Sequence, residues 1–151
     1  MKTIVFVCHG NICRSVAAEY IAKKIAKDLG VEDSFTFFSR ATSLEEIGND
    51  IYPPMKTELY SRGIPFGKHF AERITQRDYE RCDYVFYMDE NNLRYLNHLL
   101  DDYKHIVKPI TYLEDNLSMI EDPWYSGRYS LVCDQLEQCI KHIILELSNS
   151  R

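Results

Sequence analysis

Short apolar runs alternate along the chain with longer stretches in which apolar and polar residues follow a helical period. The apolar runs are rich in β-branched and aromatic residues, as buried strands are. They comprise residues 3–8, 34–39, 84–88 and 106–110. Strands that alternate with helices are typical of a parallel sheet covered on both faces. The pattern therefore predicts an α/β fold.

Helices are predicted between and after these four runs. In the first helix, over residues 17–29, apolar residues recur every four positions, and Gly30 suits the position just past a helix end. The other helices span residues 55–62, about 75–81, 90–100 and 130–147. Thr75 and Asp78 have the spacing of a capping box. Loops are predicted at residues 40–53 and 114–127.

The composition is that of one soluble domain over residues 1–151. Hydrophobic residues make up 45% of the chain and charged residues 27%, with a net charge of −5; the acidic balance argues against a nucleic-acid partner. No apolar run approaches the ~18 residues of a membrane span. Gly10 and Asn11 end the N-terminal apolar run too early for a signal peptide. We expect a cytoplasmic monomer.

Cysteine usage points to reduced thiols, because an odd number of cysteines without an export signal does not suggest a disulfide framework. The five are Cys8, Cys13, Cys82, Cys133 and Cys139. The last two lie in a helical pattern and are interpreted as small buried hydrophobic residues. No cysteine or histidine cluster has the ligand spacing of a zinc site. We expect no metal and no other cofactor.

Residues 8–15, Cys-His-Gly-Asn-Ile-Cys-Arg-Ser, carry the most distinctive chemistry. The stretch follows the first predicted strand and precedes the first helix. It could be a redox pair, half of a metal site or a cradle for an anion. At such a junction, backbone N–H groups and the helix dipole create positive potential at one spot. In an open α/β sheet, ligands bind at this end of the strands.

Individual residues favour the anion cradle. Gly10 permits an unusual backbone angle, Asn11 tolerates the left-handed conformation, and Arg14 offers a planar fork for two phosphate oxygens. The same groups would stabilise a thiolate at Cys8, to which Ser15 could donate a hydrogen bond. Cys8 is interpreted as a nucleophile for phosphorus. On this motif alone, a structural cysteine or a redox pair stays open.

The stretch Val-Cys-His-Gly-Asn-Ile-Cys-Arg-Ser at residues 7–15 resembles the signature loop of the low-molecular-weight protein tyrosine phosphatases. Other segments resemble the same family in the same order along almost the whole chain. They are residues 39–42, Gly63-Ile64 followed by His69 and Arg73, residues 83–89 followed by Asn92-Leu93, and Asp122-Pro123-Trp124-Tyr125. The resemblance implies a single-domain three-layer sandwich. Its four-stranded parallel sheet would have the order 2-1-3-4, with a phosphate-binding loop after strand 1.

The resemblance also implies roles for individual residues. Cys8 would attack the phosphorus, Arg14 would hold the phosphate, and Asp122 would act first as general acid and then as general base. The rest of the loop would surround the phosphate: His9, Gly10, Asn11, Ile12, Cys13 and Ser15. Trp124 and Tyr125 would wall the cleft and stack on the phenyl ring of phosphotyrosine.

Further residues would support this site by the same resemblance. Ser39 and His69 would hydrogen-bond Asn11 and hold the loop open. Asp89, at the end of the third strand, would help to place the arginine or the acid loop, the segment around Asp122-Pro123-Trp124-Tyr125. Cys13 would form a reversible disulfide with the nucleophile under oxidation.

The chain departs from the common family pattern at four positions. His9 stands where an apolar residue is usual, and we expect it to line the cleft rim and favour acidic groups near the phosphotyrosine. Glu45 stands where a bulky wall residue is frequent, so one wall would be open or acidic. Arg40 replaces a small residue, and Val16 replaces a frequent proline. These changes concern specificity rather than chemistry.

The partner implied by the resemblance is a protein that carries phosphotyrosine, with inorganic phosphate or vanadate as competing ligands. Two alternatives stay open. An arsenate reductase of the same fold would need further cysteines to pass a disulfide outward. A phosphocarrier or phosphotyrosine-binding module would lack a hydrolytic acid.

Overall fold

The sheet predicted from the apolar runs is present in the computed structural model, which describes residues 1–149. Its strands are β1 Lys2–Cys8, β2 Phe35–Ala41, β3 Tyr84–Tyr87 and β4 Val107–Pro109. All neighbouring pairs are parallel, and the order is 2-1-3-4, which confirms the predicted topology. The central strand β1 therefore ends between two neighbours, at the edge where the carboxyl ends of the strands gather.

Six α-helices follow the strands in the described part of the chain. They are α1 Arg14–Asp28, α2 Pro53–Ser61, α3 Gln76–Glu80, α4 Glu90–Leu99, α5 Pro123–Ser126 and α6 Tyr129–Asn149, with a 3₁₀ turn at Glu32–Ser34 before β2. No helix among residues 1–149 is both long enough and apolar enough to cross a membrane.

Two apolar cores lie on opposite faces of the sheet because successive side chains of a strand point to opposite sides. Ile4, Phe6 and Cys8 of β1 join the larger core with α1, α2 and α6. Val5 and Val7 join the smaller core with α3 and α4. The three-layer sandwich is confirmed. The same alternation places the Cys8 side chain on the face covered by α1.

Two predicted signals for helix ends, a capping box and a glycine after a helix, are present in the structure. The capping box of Thr75 and Asp78 is present with both of its hydrogen bonds. Gly30 follows α1 in the left-handed conformation, with φ of 72°. There its N–H and that of Val31 satisfy two carbonyls of the last helical turn.

Regular structure extends into both predicted loops, at residues 40–53 and 114–127. Strand β2 runs to Ala41 because its pairing with β1 continues as far as Cys8, and Ala41 also bridges to Arg73 on its other side. The prediction of a loop over residues 114–127 is wrong for its last part, which forms α5. Asp122 caps the single turn of α5, Pro123 begins it, and Gly127 ends it in the left-handed conformation.

The long helix α6 provides a test of the larger core. Leu136 is fully buried, whereas Leu145 on the same helix is 41% exposed. Truncation of a buried leucine loses apolar burial and leaves a cavity. Leu136→Ala should lower the free energy of unfolding by about 2–5 kcal/mol in urea denaturation. Leu145→Ala should change it by less than about 1 kcal/mol; equal effects would contradict the assigned core.

Candidate active site

The loop between β1 and α1 has one left-handed residue. Asn11 adopts φ of 60°, as predicted. Gly10 does not have a positive φ, so the left-handed backbone angle that a glycine permits is not used there. Its lack of a side chain matters for space, because a Cβ at Gly10 would lie 3.2 Å from Glu46 Cγ.

The loop carbonyls are hydrogen-bonded to groups outside the loop. The donors come from segments far away in sequence, mostly from the stretch after β2. They are Thr42 N to Cys8 O at 2.9 Å, Ser43 N to His9 O at 3.1 Å, Tyr52 N to Ile12 O at 2.9 Å, and His69 Nε2 against Asn11 O at 2.6 Å. These bonds turn the acceptor side of the loop towards the protein.

The donor side of the loop is correspondingly free. In the described structure, the backbone N–H groups of residues 10–13 make no hydrogen bond to another protein group. Free N–H groups at the start of a helix form a binding site for an anion. The N–H of Ser15 points inward and donates to Cys8 Sγ at 3.4 Å.

Cys8, Ser15 and Asn11 form a short chain of hydrogen bonds at the base of the loop. Asn11 Nδ2 donates to Ser15 Oγ at 2.8 Å, and Ser15 Oγ lies 3.0 Å from Cys8 Sγ. Because the hydroxyl oxygen already accepts from Asn11, its hydrogen is available for the sulfur. Two donors, the backbone N–H and the hydroxyl of Ser15, can thus stabilise negative charge on Cys8.

Arg14 is almost completely buried, at 2% exposure. Its Nη1 donates to Asp89 Oδ2 at 2.6 Å and to Ile120 O at 2.8 Å, and its Nη2 lies 3.6 Å from Asp122 Oδ2. Burial works to lower the pKa of Arg14, but Cys8 and the two carboxylates outweigh it and raise that pKa. The guanidinium therefore stays charged inside the protein.

Asp89 is held by a capping box at the start of α4. Its Oδ1 accepts from Asn92 N at 2.9 Å, while Asn92 Oδ1 accepts from the N–H groups of Met88 and Asp89. The second carboxylate oxygen of Asp89 is left to bind Arg14. This contact corresponds to the expected role of Asp89 in placing the arginine.

Asp122 is oriented by α5. Its Oδ1 accepts from Trp124 N at 3.0 Å, as an N-cap does, and its Oδ2 faces Arg14. Two residues earlier, Ile120 N donates to Met88 O at 2.9 Å, which joins the acid loop to the end of β3. The sheet and Arg14 together bring Asp122 to the loop of Cys8.

A cavity of about 140 Å³ opens above the loop. Its lining comprises Cys8, His9, Gly10, Ile12, Cys13, Arg14, Glu45, Glu46, Asp122, Trp124 and Tyr125. Asn11 and Ser15 are buried beneath it, where Asn11 bonds Ser15 and Ser15 contacts Cys8. A larger groove, of about 770 Å³, lies between α1 and β2 and holds none of the predicted site residues.

Trp124 and Tyr125 both border the cavity, as expected. Trp124 is 49% exposed, and its ring lies 4.6 Å from that of Tyr52. Tyr125 is 85% exposed. Trp124 is therefore held in place by a neighbouring ring, while Tyr125 stands free at the rim. Tyr52 was not anticipated, because no local pattern links it to a loop 70 residues further on.

The supporting residues are only partly arranged as expected. His69 does contact Asn11, through the Asn11 carbonyl. Ser39 does not: its hydroxyl donates to Glu19 Oε1 at 2.7 Å. The side chain of Asn11 bonds Ser15 instead, and its Oδ1 accepts from Glu72 N at 3.3 Å. Ser39 thus joins β2 to α1 and does not hold the loop.

Of the residues that depart from the family pattern, His9 and Glu45 line the cavity and Arg40 does not. His9 Nε2 is 2.8 Å from Glu45 Oε2, and its ring lies 6.0 Å from that of Tyr95. Glu45 lines the cavity, and its neighbour Glu46, which sequence reasoning missed, does so too. Arg40 is outside the cavity and pairs with Asp78 of α3 at 3.0 Å. Arg40 therefore joins β2 to α3.

Comparison with known proteins assigns the chain to a family. The family model of low molecular weight phosphotyrosine protein phosphatase matches residues 3–151. The chain belongs to this family of enzymes.

The relatives are similar over nearly the whole chain. The low molecular weight phosphotyrosine protein phosphatase of Rattus norvegicus is 36% identical over 146 residues, which cover 93% of this chain and 92% of the relative. The crystal structure of YfkJ from Bacillus subtilis has a TM-score of 0.94 at 28% identity and covers 100% of this chain and 97% of its own. A protein tyrosine phosphatase structure from Entamoeba histolytica has a TM-score of 0.91 at 26% identity, covering 99% and 98%.

The cysteines should differ in reactivity. Burial, and then the charge of Cys8, raise the pKa of Cys13 well above its ordinary value. Burial raises the pKa of Cys82, Cys133 and Cys139 to about 12. Only thiolates react readily with alkylating agents. Iodoacetamide at neutral pH should therefore add one label, at Cys8, as located by mass spectrometry of peptides. Excess phosphate should slow the labelling; faster labelling of Cys13 would contradict the arrangement.

Asp89 offers a second test, because Asn caps a helix as well as Asp but carries no charge. Asp89→Asn should lower kcat for an aryl phosphate by roughly 10- to 100-fold, since a charge-assisted bond to Arg14 is worth about 1.5–3 kcal/mol. Asp78→Asn is the matched control. Asp78 also combines a capping box with an arginine partner, Arg40, away from the cavity. A similar loss of kcat in both variants would contradict a specific role for Asp89.

Proposed function

We propose that this enzyme hydrolyses phosphotyrosine in proteins through a covalent intermediate on Cys8. The observation that carries the proposal is the placement of the Cys8 sulfur at the base of a loop whose N–H groups are free, beside Arg14 and Asp122. The loop binds the phosphate, and its bonds to the rest of the protein keep the donors in position before the substrate arrives.

In the first step, the Cys8 thiolate attacks phosphorus and the bond from phosphorus to the tyrosine oxygen breaks. Asp122 gives its proton to that oxygen, so tyrosine leaves as a neutral phenol. A cysteinyl phosphate is formed. The N-cap bond at Oδ1 supports proton delivery from Asp122 Oδ2, the oxygen near Arg14.

In the second step, Asp122 takes a proton from water as the water oxygen attacks the phosphorus. The bond from sulfur to phosphorus breaks, inorganic phosphate is released, and Cys8 returns as a thiolate stabilised by Ser15. The carboxyl group is protonated again and ready for another cycle.

Charge stabilisation supplies most of the rate enhancement in phosphoryl transfer. The loop N–H groups and Arg14 would bind the three equatorial oxygens in both transition states. Because Arg14 Nη1 is already bound to Asp89 and Ile120, Arg14 would present the edge formed by Nη2 and Nε to the phosphate. Inorganic phosphate and vanadate would occupy the same cradle.

The shape of the cavity supports an aromatic substrate. Trp124 and Tyr125 border the entrance, so a phenyl ring can lie against them while its phosphate reaches the loop. A phosphoserine side chain is shorter and would leave its phosphate above the sulfur. Phosphotyrosine is therefore the proposed substrate.

The positions of the other cysteines support a phosphatase rather than an arsenate reductase. Cys82 lies in the core on the opposite face of the sheet, and Cys133 and Cys139 lie within α6. Of the described cysteines, only Cys8 and Cys13 line the cavity. A disulfide relay outward from the loop would need another thiol at the surface. Asp122 beside Arg14 likewise supports hydrolysis over storage of the phosphate for a partner.

The proposed setting is the cytoplasm. All five cysteines are free and buried, an arrangement that suits a reducing compartment.

Two phosphate esters separate the roles of Cys8 and Asp122. Cys8→Ser should lose nearly all activity without added metal, whereas Cys139→Ala, far from the cavity, should keep it.

Asp122→Asn keeps the N-cap of α5 but removes the acid. It should slow phenyl phosphate hydrolysis by about 10²–10⁴-fold. It should slow p-nitrophenyl phosphate hydrolysis less, because nitrophenolate leaves without a proton.

The pH profile provides a further measurement on the same variants. The wild-type rate should fall towards alkaline pH, because the acid must be protonated, and Asp122→Asn should lose this dependence. Equal losses on both esters would show that Asp122 maintains structure and does not deliver a proton.

A further inference from the structure

Two glutamates stand at the mouth of the cavity without a lysine or arginine partner. Glu45 and Glu46 both line it, together with Asp122. Among residues 1–149, Glu45 pairs only with His9, and Glu46 forms no ion pair. Arg14 lies below them, buried and bound to Asp89. The rim is therefore acidic, although the base of the same cavity is built for an anion.

The positions of these glutamates are fixed by contacts with the loop. The preceding segment is bonded to it through Thr42 N and Ser43 N, and the Ser43 hydroxyl also donates to His9 O at 3.0 Å. Glu46 packs against the side of Gly10 that lacks a Cβ, and its Oε2 accepts from Asn49 Nδ2 at 2.6 Å. The rim carboxylates thus sit directly beside the phosphate cradle.

The His9 contact argues against an expectation from the sequence. His9 was expected to favour acidic groups beside the phosphotyrosine. Its Nε2 is instead occupied by Glu45, whose side chain is 70% exposed and faces solvent at the rim. Glu45 and Glu46 would therefore attract a basic group of a substrate and repel an acidic one.

Aromatic rings border the same entrance. Trp124 is half exposed and Tyr125 is 85% exposed, and both belong to α5, which approaches the loop beside Arg14 and Asp122. The faces of such rings attract lysine and arginine side chains. A basic side chain next to phosphotyrosine can therefore find carboxylates from one segment and aromatic rings from another.

We propose that Glu45 and Glu46 make this enzyme select phosphotyrosine sites flanked by lysine or arginine. The proposal rests on the proposed phosphotyrosine phosphatase function and adds the class of protein substrate. The phosphate binds at the base of the cavity, and the flanking cation binds at the rim, so the two charges of the substrate contact separate groups.

Three phosphotyrosine peptides of one sequence, with Lys, Ala or Glu on both sides of the phosphotyrosine, test the proposal. Phosphate release gives kcat/KM for each. At low ionic strength, kcat/KM for the Lys peptide should exceed that for the Glu peptide by roughly tenfold. Each exposed charge pair contributes a small factor, and the net charges of the two peptides differ by four units. The ratio should shrink at ~0.5 M salt, where such pairs are screened.

A matched pair of double variants assigns the selectivity to the rim. Glu45→Gln/Glu46→Gln should bring the ratio of Lys to Glu peptides to within about twofold, as removal of both carboxylates removes their charge. Glu32→Gln/Glu146→Gln changes the net charge equally. Both of its glutamates are exposed and outside the cavity lining, and it should keep the wild-type ratio.

The outcomes distinguish this proposal from the function beneath it. If all three peptides are hydrolysed at equal rates, or if the Glu peptide is preferred, the selectivity is overturned and the phosphatase function stands. If the rim double variant keeps the full ratio, Glu45 and Glu46 are not its source. If no phosphotyrosine peptide is hydrolysed, the proposed function itself fails.

Discussion

The site depends on hydrogen bonds that hold the carbonyl groups of the Cys8 loop away from the cavity. Thr42, Ser43, Tyr52 and His69 supply the donors for these bonds, so the loop presents its N–H groups to the other side. A peptide chain has equal numbers of donors and acceptors, and a surface of donors alone requires that the acceptors be satisfied elsewhere. The segment between β2 and α3 satisfies them, and its own conformation therefore belongs to the site.

Arg14 makes the second set of connections. A buried guanidinium is tolerated only with partners for its charge and its N–H groups. Here those partners come from the start of α4, through Asp89, and from the acid loop, through Ile120 and Asp122. The partner charges keep the arginine ionised, and the arginine in turn gathers three segments that are far apart in sequence. The same contacts therefore keep Arg14 charged for binding phosphate and bring Asp122 close to the Cys8 loop.

Sequence reasoning reached the strands and the loop because those features have local signals: apolar runs, a cysteine after a strand and an arginine at a helix start. The order of the strands came from the family resemblance. Sequence reasoning missed α5 although Asp-Pro and a later Gly mark the helix, because one turn is too short for a periodic pattern. Ser39 was assigned to Asn11 but bonds Glu19, and Glu46 was overlooked. The Ser39 contact depends on how α1 packs on β2, and the position of Glu46 depends on how the segment after β2 folds back over the loop. Neighbours in the sequence predict neither arrangement.

The N-cap of α5 makes the two oxygens of Asp122 chemically different. Oδ1 accepts a backbone N–H and has little capacity to carry a proton, whereas Oδ2 lies on the side of Arg14. Rotation of the carboxyl group would break the bond from Trp124 N that caps the first turn of the helix. A residue that must give a proton to one side and later take one from the same side is thus kept in a single orientation throughout the cycle. Here helix capping provides stereochemical control.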